Sequence, residues 1–396
     1  MMSDTTKTTR VFFDEIVGLR IILALWVAVG HGLQLSGFVV AKDPITAVLL
    51  NAHSAVVVFM IISGFVITNL LMVKQESYPR YLTRRFFRLY PAYVLCCILG
   101  YVMAGYWLDI VQAAPWQDAE GWEAYSQSIY ELDYEARENF WPHALLHASM
   151  FHGMVPDEII NRAAMVFLPA AWSISLEWQF YLVAPFVLAA LRSTKATIFV
   201  LLLAAAAYVG YQVGLLGHYD IKSSLAVATP AFFLGIVSRL GYQKLKEATF
   251  VSPLVASAVV IFVGLTMFDK PLPYLVWGVF FSYLLWSDRA PFTGRLFKQL
   301  FTSRLASILG EASYSLYLVH RPVQVALGVF AMSFVTLNQW SMFAVQMAAV
   351  AIAMPISVAM YFFIEKPGMN LGKSIANRLP EGEAESKGSR LINTGP

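Results

Sequence analysis

Apolar runs of about 20 residues recur along almost the whole chain, separated by short polar segments. That is the length a helix needs to cross the hydrocarbon core of a bilayer. Of the 396 residues, 58% are hydrophobic and 13% charged, against roughly 25% charged in soluble domains. Too few ionisable side chains remain to wet a soluble surface, which excludes a soluble enzyme, a nucleic-acid reader and a disordered chain. Cys96 and Cys97 are adjacent inside an apolar run, so they make neither a disulfide framework nor a metal knuckle. Asp14, Glu15 and Arg20 interrupt the first apolar stretch and no small-residue cleavage site is evident. It therefore reads as a retained helix rather than a signal peptide. The expected fold is an all-α polytopic membrane protein.

Candidate spans fall at about 16–40, 46–73, 89–108, 172–191, 197–215, 223–238, 251–267, 272–286, 306–332 and 340–364. That makes about ten transmembrane helices with both termini on one side. Placing those termini in the cytoplasm puts 21 of the 28 Lys and Arg residues in inside segments and five outside, with Arg20 and Arg321 within spans. The split obeys the positive-inside rule, and adding or removing one helix would scramble it. The sequence divides into a membrane domain over 1–368 and a polar tail over 369–396, expected to be disordered.

One outside segment, about 109–171, is long. It carries eight acidic residues between Asp109 and Glu138, with Trp107, Trp116, Trp122, Tyr125, Tyr130 and Trp141. Long loops are usually functional, and an acidic, aromatic surface suits stacking on a neutral or cationic sugar. An interfacial aromatic belt with a solvated acidic face suits the same residues.

Ionisable residues inside spans are costly and mark function by default. Arg20 and His31 lie eleven positions apart, three turns plus about 20°, so they share a face about 16 Å apart along the axis. Snorkelling of Arg20 to headgroups and an interhelical bond from His31 are the structural alternatives. Arg85 and Arg88, three apart, suit phosphate oxygens or a plain anchor on anionic lipid. Ser173, Glu177 and Tyr181 form an i, i+4, i+8 stripe, in which Glu177 can orient a histidine, bind a hydroxyl or pair as packing. Ser313, Tyr317 and His320 share a face above Pro322, whose freed carbonyl lines a cavity or marks a kink capped by His320. His143, His147 and His152 lack an HExxH pattern and a specified third ligand, so no metal is assigned. Ser63-Gly64-Phe65 lacks the setting of a nucleophile elbow and suits close helix packing.

Taken in order, these residues resemble the integral-membrane acyltransferase-3 family over about 12–368. Arg20 and His31 are similar to its R-x10-H pair, and Val57–Phe65 to its second-helix signature. Arg85-Phe86-Phe87-Arg88 with Leu89-Tyr90-Pro91 resembles its RxxR-(I/L)YP element. Trp172–Tyr181 resembles WSLxxExxFY, Ser313–Pro322 resembles SYSxYLxHxP, and Ile364-Glu365-Lys366-Pro367 its closing IEKP. Arg321 departs from the aromatic residue common at its place, and Trp178 from a second acid. The chain reads as a stand-alone member, without the fused SGNH domain of some relatives.

The resemblance implies O-acyl transfer, most simply of acetyl, from cytoplasmic acyl-CoA to a hydroxyl of a carbohydrate or glycolipid acceptor of the cell envelope, in a bacterial inner membrane. It implies His31 and Glu177 as catalytic residues, with Arg20, Arg85, Arg88 and Tyr90 on acyl-CoA. Ser173, Tyr181, Ser313, Tyr317 and His320 are then substrate or supporting residues. Partners would be acyl-CoA, the acceptor and the lipid bilayer, with no nucleic acid and no metal; a homodimer stays open. A multi-span transporter of an envelope precursor or lipid is the other reading, although no inverted repeat of the kind such folds carry is visible.

Overall fold

The computed structural model describes residues 12–74, 76–247, 252–267 and 270–381. Among them every regular element is helical. The first quarter holds α1 (Asp14–Leu35), α2 (Pro44–Leu50), α3 (Ala52–Val73) and α4 (Tyr78–Ala113). Two short helices follow, α5 (Trp122–Glu138) and α6 (Phe140–Ser149), then α7 (Trp172–Ala190), α8 (Thr194–Gln212) and α9 (Leu225–Glu247). Next come α10 (Pro253–Met267), α11 (Leu272–Trp286), α12 (Thr293–Thr302), α13 (Arg304–Glu311) and α14 (Ser313–Met332). The last are α15 (Gln339–Met360), continued by a single π-helical turn at Tyr361–Glu365, and α16 (Lys366–Arg378).

Among the described residues, seven helical stretches are long and apolar enough to cross a membrane: α1, α3, α4, α7 with its preceding turn, α8, α9, and α15 running through α16. The three further expected spans are helical but fall short of that measure. Both α10 and α11 have 15 residues, and α14 interrupts its apolar run with His320, Arg321 and Gln324.

Local chemistry explains where the boundaries differ from expectation. The span expected at 46–73 is two helices, because Asn51 leaves helical geometry and its side chain caps α3 through the Ser54 amide at 3.2 Å. Asp43 caps α2 in the same way, with Pro44 at the first helical position. The third span, expected at 89–108, belongs to a helix of 36 residues, about 54 Å long and far more than a bilayer core requires. Its far end carries Trp107, Ile110 and Val111 into a second hydrophobic core with Trp116, Trp122, Ile129 and Leu132. The long segment is therefore a folded lobe with buried tryptophans, and only Tyr130 and Trp141 of its six rings are exposed.

The tail also departs from expectation, since residues 366–378 form α16, which packs on α4. Arg80 donates two bonds to the Leu379 carbonyl, at 2.7 and 2.9 Å, and Arg84 reaches Asn377 at 2.9 Å. The expected disorder beyond 381, and Lys7, Arg10, Lys387 and Arg390, lie outside the described residues.

The main core gathers α1, α3, α4, α7, α9, α11 and α14, with residues of α15. Helices α3 and α9 cross at glycines on both sides. A side chain at Gly64 would collide with the Phe232 carbonyl, and one at Gly235 with that of Ile61. The small residues beside Ser63 thus permit close packing, as their sequence suggested.

Candidate active site

Inside this bundle lies a cavity of about 130 Å³, the space of roughly four waters. Its walls are α1, α3, α4, α7, α9 and α14, and the polar residues facing it are Arg20, Ser63, Arg85, Arg88, Ser173, Glu177, Tyr181 and Ser313, with Tyr314 and Tyr317. Five of the six motif segments, scattered over some 300 positions, thus reduce to two sites, this cavity and a histidine pair beside it, and the sixth supplies Glu365 to the cavity's Arg88.

Glu177 accepts hydrogen bonds from Ser63 Oγ at 3.0 Å and from the Tyr181 hydroxyl one turn below. It touches no histidine, so the orienting role suggested for it does not appear in this geometry. The three cavity arginines differ in what holds them. Arg88 is ion-paired to Glu365, itself held by Ser315 at 2.8 Å, and its guanidinium lies 5.4 Å from the Tyr314 ring. Arg20 and Arg85 have no carboxylate within ion-pair distance among the described residues, and Arg85 lies 5.8 Å from the Tyr181 ring centre. Ser173 and Tyr317 share a bond of 2.8 Å and both point to the Ala170 carbonyl, at 3.2 and 3.0 Å. Ser313 bonds back to its own turn at Gly310, 2.7 Å away.

His31 and His320 lie outside the cavity wall. They face each other with Nδ1 of His31 2.9 Å from Nε2 of His320, rings stacked 5.1 Å apart. Nδ1 of His320 lies 3.3 Å from the Leu316 carbonyl one turn back. A carbonyl only accepts, so that contact assigns the His320 proton to Nδ1 and leaves Nε2 as an acceptor. His31 then donates from Nδ1, and its own Nε2 carries the free lone pair. The pair adjoins the cavity through Tyr317, whose ring is 6.2 Å from that of His320. Tyr90, expected on the donor, stands outside the cavity, stacked 4.4 Å from Phe86.

Sequence reasoning missed three contributors. Ser63 was read as packing alone, yet it binds Glu177. Glu365 was quoted within a motif without a role, although its burial at 1% exposure requires a partner. Arg321, noted as a departure, lies 4.5 Å over the Trp107 ring and donates to the His31 carbonyl at 3.4 Å. It ties the folded lobe to the histidine pair.

The family model described as an acyltransferase domain matches residues 13–362. The chain belongs to the acyltransferase-3 family. It is 29% identical over 349 residues to the putative membrane-bound transacylase BcsY of Komagataeibacter xylinus, covering 85% of this chain and 80% of that protein. It is 25% identical over 237 residues to the O-acetyl transferase of Shigella phage Sf6, covering 57% of this chain and 61% of the relative. No solved structure matches it. Membership makes this chain an enzyme of acyl transfer, where buried charges alone also suited a transporter. Among the described residues, no group of three or more His, Cys, Asp or Glu side chains is placed to hold a metal ion.

Proposed function

We propose that this acyltransferase takes its acyl group, acetyl in the simplest case, from cytoplasmic acyl-CoA and passes it to a hydroxyl of a cell-envelope glycan or glycolipid. The proposed setting is a bacterial inner membrane, crossed about ten times with both termini inside. The observation that carries the reading is that Arg20 and Arg85, two guanidiniums with no carboxylate within ion-pair distance among the described residues, face a cavity too small for a nucleotide but roomy enough for a thioester head. Arg85 stands in the arginine-rich first turns of α4, where the positive-inside pattern places the cytoplasm. Phosphate charges of CoA would dock there while the pantetheine arm carries the thioester inward.

The chemistry follows from the tautomers. Nε2 of His31 removes the proton of the acceptor hydroxyl as that oxygen attacks the thioester carbonyl. The C–O bond forms, the C–S bond breaks, and the imidazolium returns the proton to the departing thiolate. His320 holds the base in the right tautomer, and Glu177, held by Ser63 and Tyr181, supplies negative charge and an acceptor within the cavity. Direct attack by His31 on the thioester, giving an acyl-imidazole, uses the same lone pair.

Arg85→Ala tests the donor site. Acetyl-CoA affinity, measured by titration of purified protein in detergent, falls by about tenfold or more for a lost charge-assisted contact. Unchanged affinity would remove CoA from this cavity.

A further inference from the structure

The bundle holds a second polar opening, larger than the cavity just described. At the opposite end of α3 lies a second cavity of about 650 Å³, within the roughly 300–1,000 Å³ range of small-molecule sites. It is walled by the first turn of α3, the far part of α8, the segment leading into α9, and the start of α11. Its functional lining is Asn51, His53, Tyr208, Lys222, Lys270 and Tyr274. The two cavities lie end to end along one helix. His53, Ser54, Val57 and Met60 line the larger, Val56, Phe59, Met60 and Ser63 the smaller, and the Met60 side chain belongs to both walls. A flexible thioether is the kind of partition that yields to a ligand. The exposed His53 ring stacks on Trp172, 5.6 Å away and 12° from parallel, directly before the Ser173 that borders the inner cavity.

Charge separates the candidate ligands. The cavity's one acid, Asp220, is already neutralised by Arg162 at 2.9 Å and bonded to His218 at 3.1 Å. Lys222 and Lys270 have no carboxylate within ion-pair distance among the described residues, so the opening presents two uncompensated ammonium groups. Three of the eight acids that suggested a neutral or cationic sugar are occupied elsewhere, and none of the eight lines this opening. Glu131 binds Arg162 at 2.6 Å, Asp133 binds Arg137 at 2.9 Å, and Glu135 takes bonds from Asn139 and Asn161. The rings facing the opening, His53, Tyr208 and Tyr274, offer flat faces for a sugar, and the lysines ask for an anion on it.

We infer that this second cavity is the acceptor site and that it takes an anionic glycan, one carrying a carboxylate or a phosphate next to the hydroxyl to be acylated. The inference rests on the acyltransferase reading for its placement, but its anion selectivity stands apart from it.

Binding to full-length protein in detergent tests the site with three probes of matched length: a hexuronic-acid oligosaccharide, a glycerol-phosphate oligomer and a neutral hexose oligosaccharide. Wild type binds at least one anionic probe at least tenfold more tightly than the neutral one, and raising the salt weakens that binding. Preference for the uronate identifies a carboxylate ligand, and preference for the polyol phosphate a phosphate ligand. Lys222→Gln with Lys270→Gln removes the preference, whereas Lys222→Arg with Lys270→Arg keeps it, which separates lost charge from lost fold. Equal binding of neutral and anionic probes, binding of none, or an intact preference in the glutamine variant overturns the inference. Acetyl-CoA binding in the same wild-type sample tests the donor reading separately. Its failure with anion preference retained would sink the acyltransferase placement and leave the anion site standing.

Discussion

Helices α8 and α14 are nearly equal in length, 19 and 20 residues, and opposite in every other respect. The former, TKATIFVLLLAAAAYVGYQ, is apolar round most of its circumference, yet Gly210 is its one buried residue. The latter carries Ser313, Tyr314, Ser315, Tyr317, His320, Arg321 and Gln324, and all of them are buried. In water the assignments would be reversed. In a bilayer the apolar helix is content against lipid, while a polar helix must find its partners inside the protein. Several polar groups of α14 do so: Ser315 on Glu365, Tyr314 on the Leu89 carbonyl at 2.9 Å, and the Gln324 amide nitrogen on the Ala28 carbonyl at 2.7 Å. Hydropathy thus locates the wall of this protein, and its polar exceptions locate the working interior.

The contrast breaks most sharply at Glu365. Removing a buried partner leaves Arg88 uncompensated, and Glu365→Ala should cost about 3–5 kcal/mol, read as a large drop in the detergent melting temperature. A variant that melts like wild type would mean the Arg88–Glu365 pair holds nothing together.

Acid tests the folded lobe, where burial works the other way round. His147 and His152 stack 4.0 Å apart beside the Tyr93 hydroxyl, 3.0 and 3.3 Å away. Burial pushes His152 down to about 4 and His147 well below the ordinary histidine value, with His152 and His143 as lesser contributors to the latter. The unfolded chain therefore binds more protons than the folded one below about pH 6.5, and stability falls with pH through that window towards pH 4. At pH 5 His152 alone should withdraw on the order of 2 kcal/mol. Hydrogen exchange over α5 and α6 should quicken between pH 7 and 5, and a flat profile would contradict their neutral burial. The smallest effect belongs to the lipid-facing wall. Leu202, 65% exposed, should tolerate alanine within about 0.5 kcal/mol, and a larger loss of melting temperature would show that α8 packs on protein.

How much of this was legible depended on whether a residue's partner could be read from spacing. The Arg20–His31 register and the Ser173–Glu177–Tyr181 stripe are set by a single helix's periodicity, and the structure keeps them on one face. The helix class followed from run length, and α10 and α11 stand where the apolar runs end. Partners drawn from distant helices were not legible. His320, 289 positions from His31, takes the place beside it that Glu177 had seemed to offer, because only the packing of α1 on α14 decides which polar face meets which. The 109–171 segment misled for a related reason. Its tryptophans have the composition of an exposed sugar platform, but the extra length of α4 gives them a surface to bury against. The tail's polar sequence concealed α16 because that helix packs on Phe87 and Pro91 of α4 through the small residues Gly368 and Gly372, with Arg80 and Arg84 bonding its end, rather than through large apolar side chains.

Nε2 of His31, set by His320, is the proposed base of acyl transfer. The most direct test is release of free CoA from acetyl-CoA by purified wild type and His31→Ala, with acetyl-CoA binding measured in the same samples. The expected result is a loss of roughly 10²–10⁴-fold in release, with donor affinity within about twofold of wild type. Release at the wild-type rate by His31→Ala would contradict it.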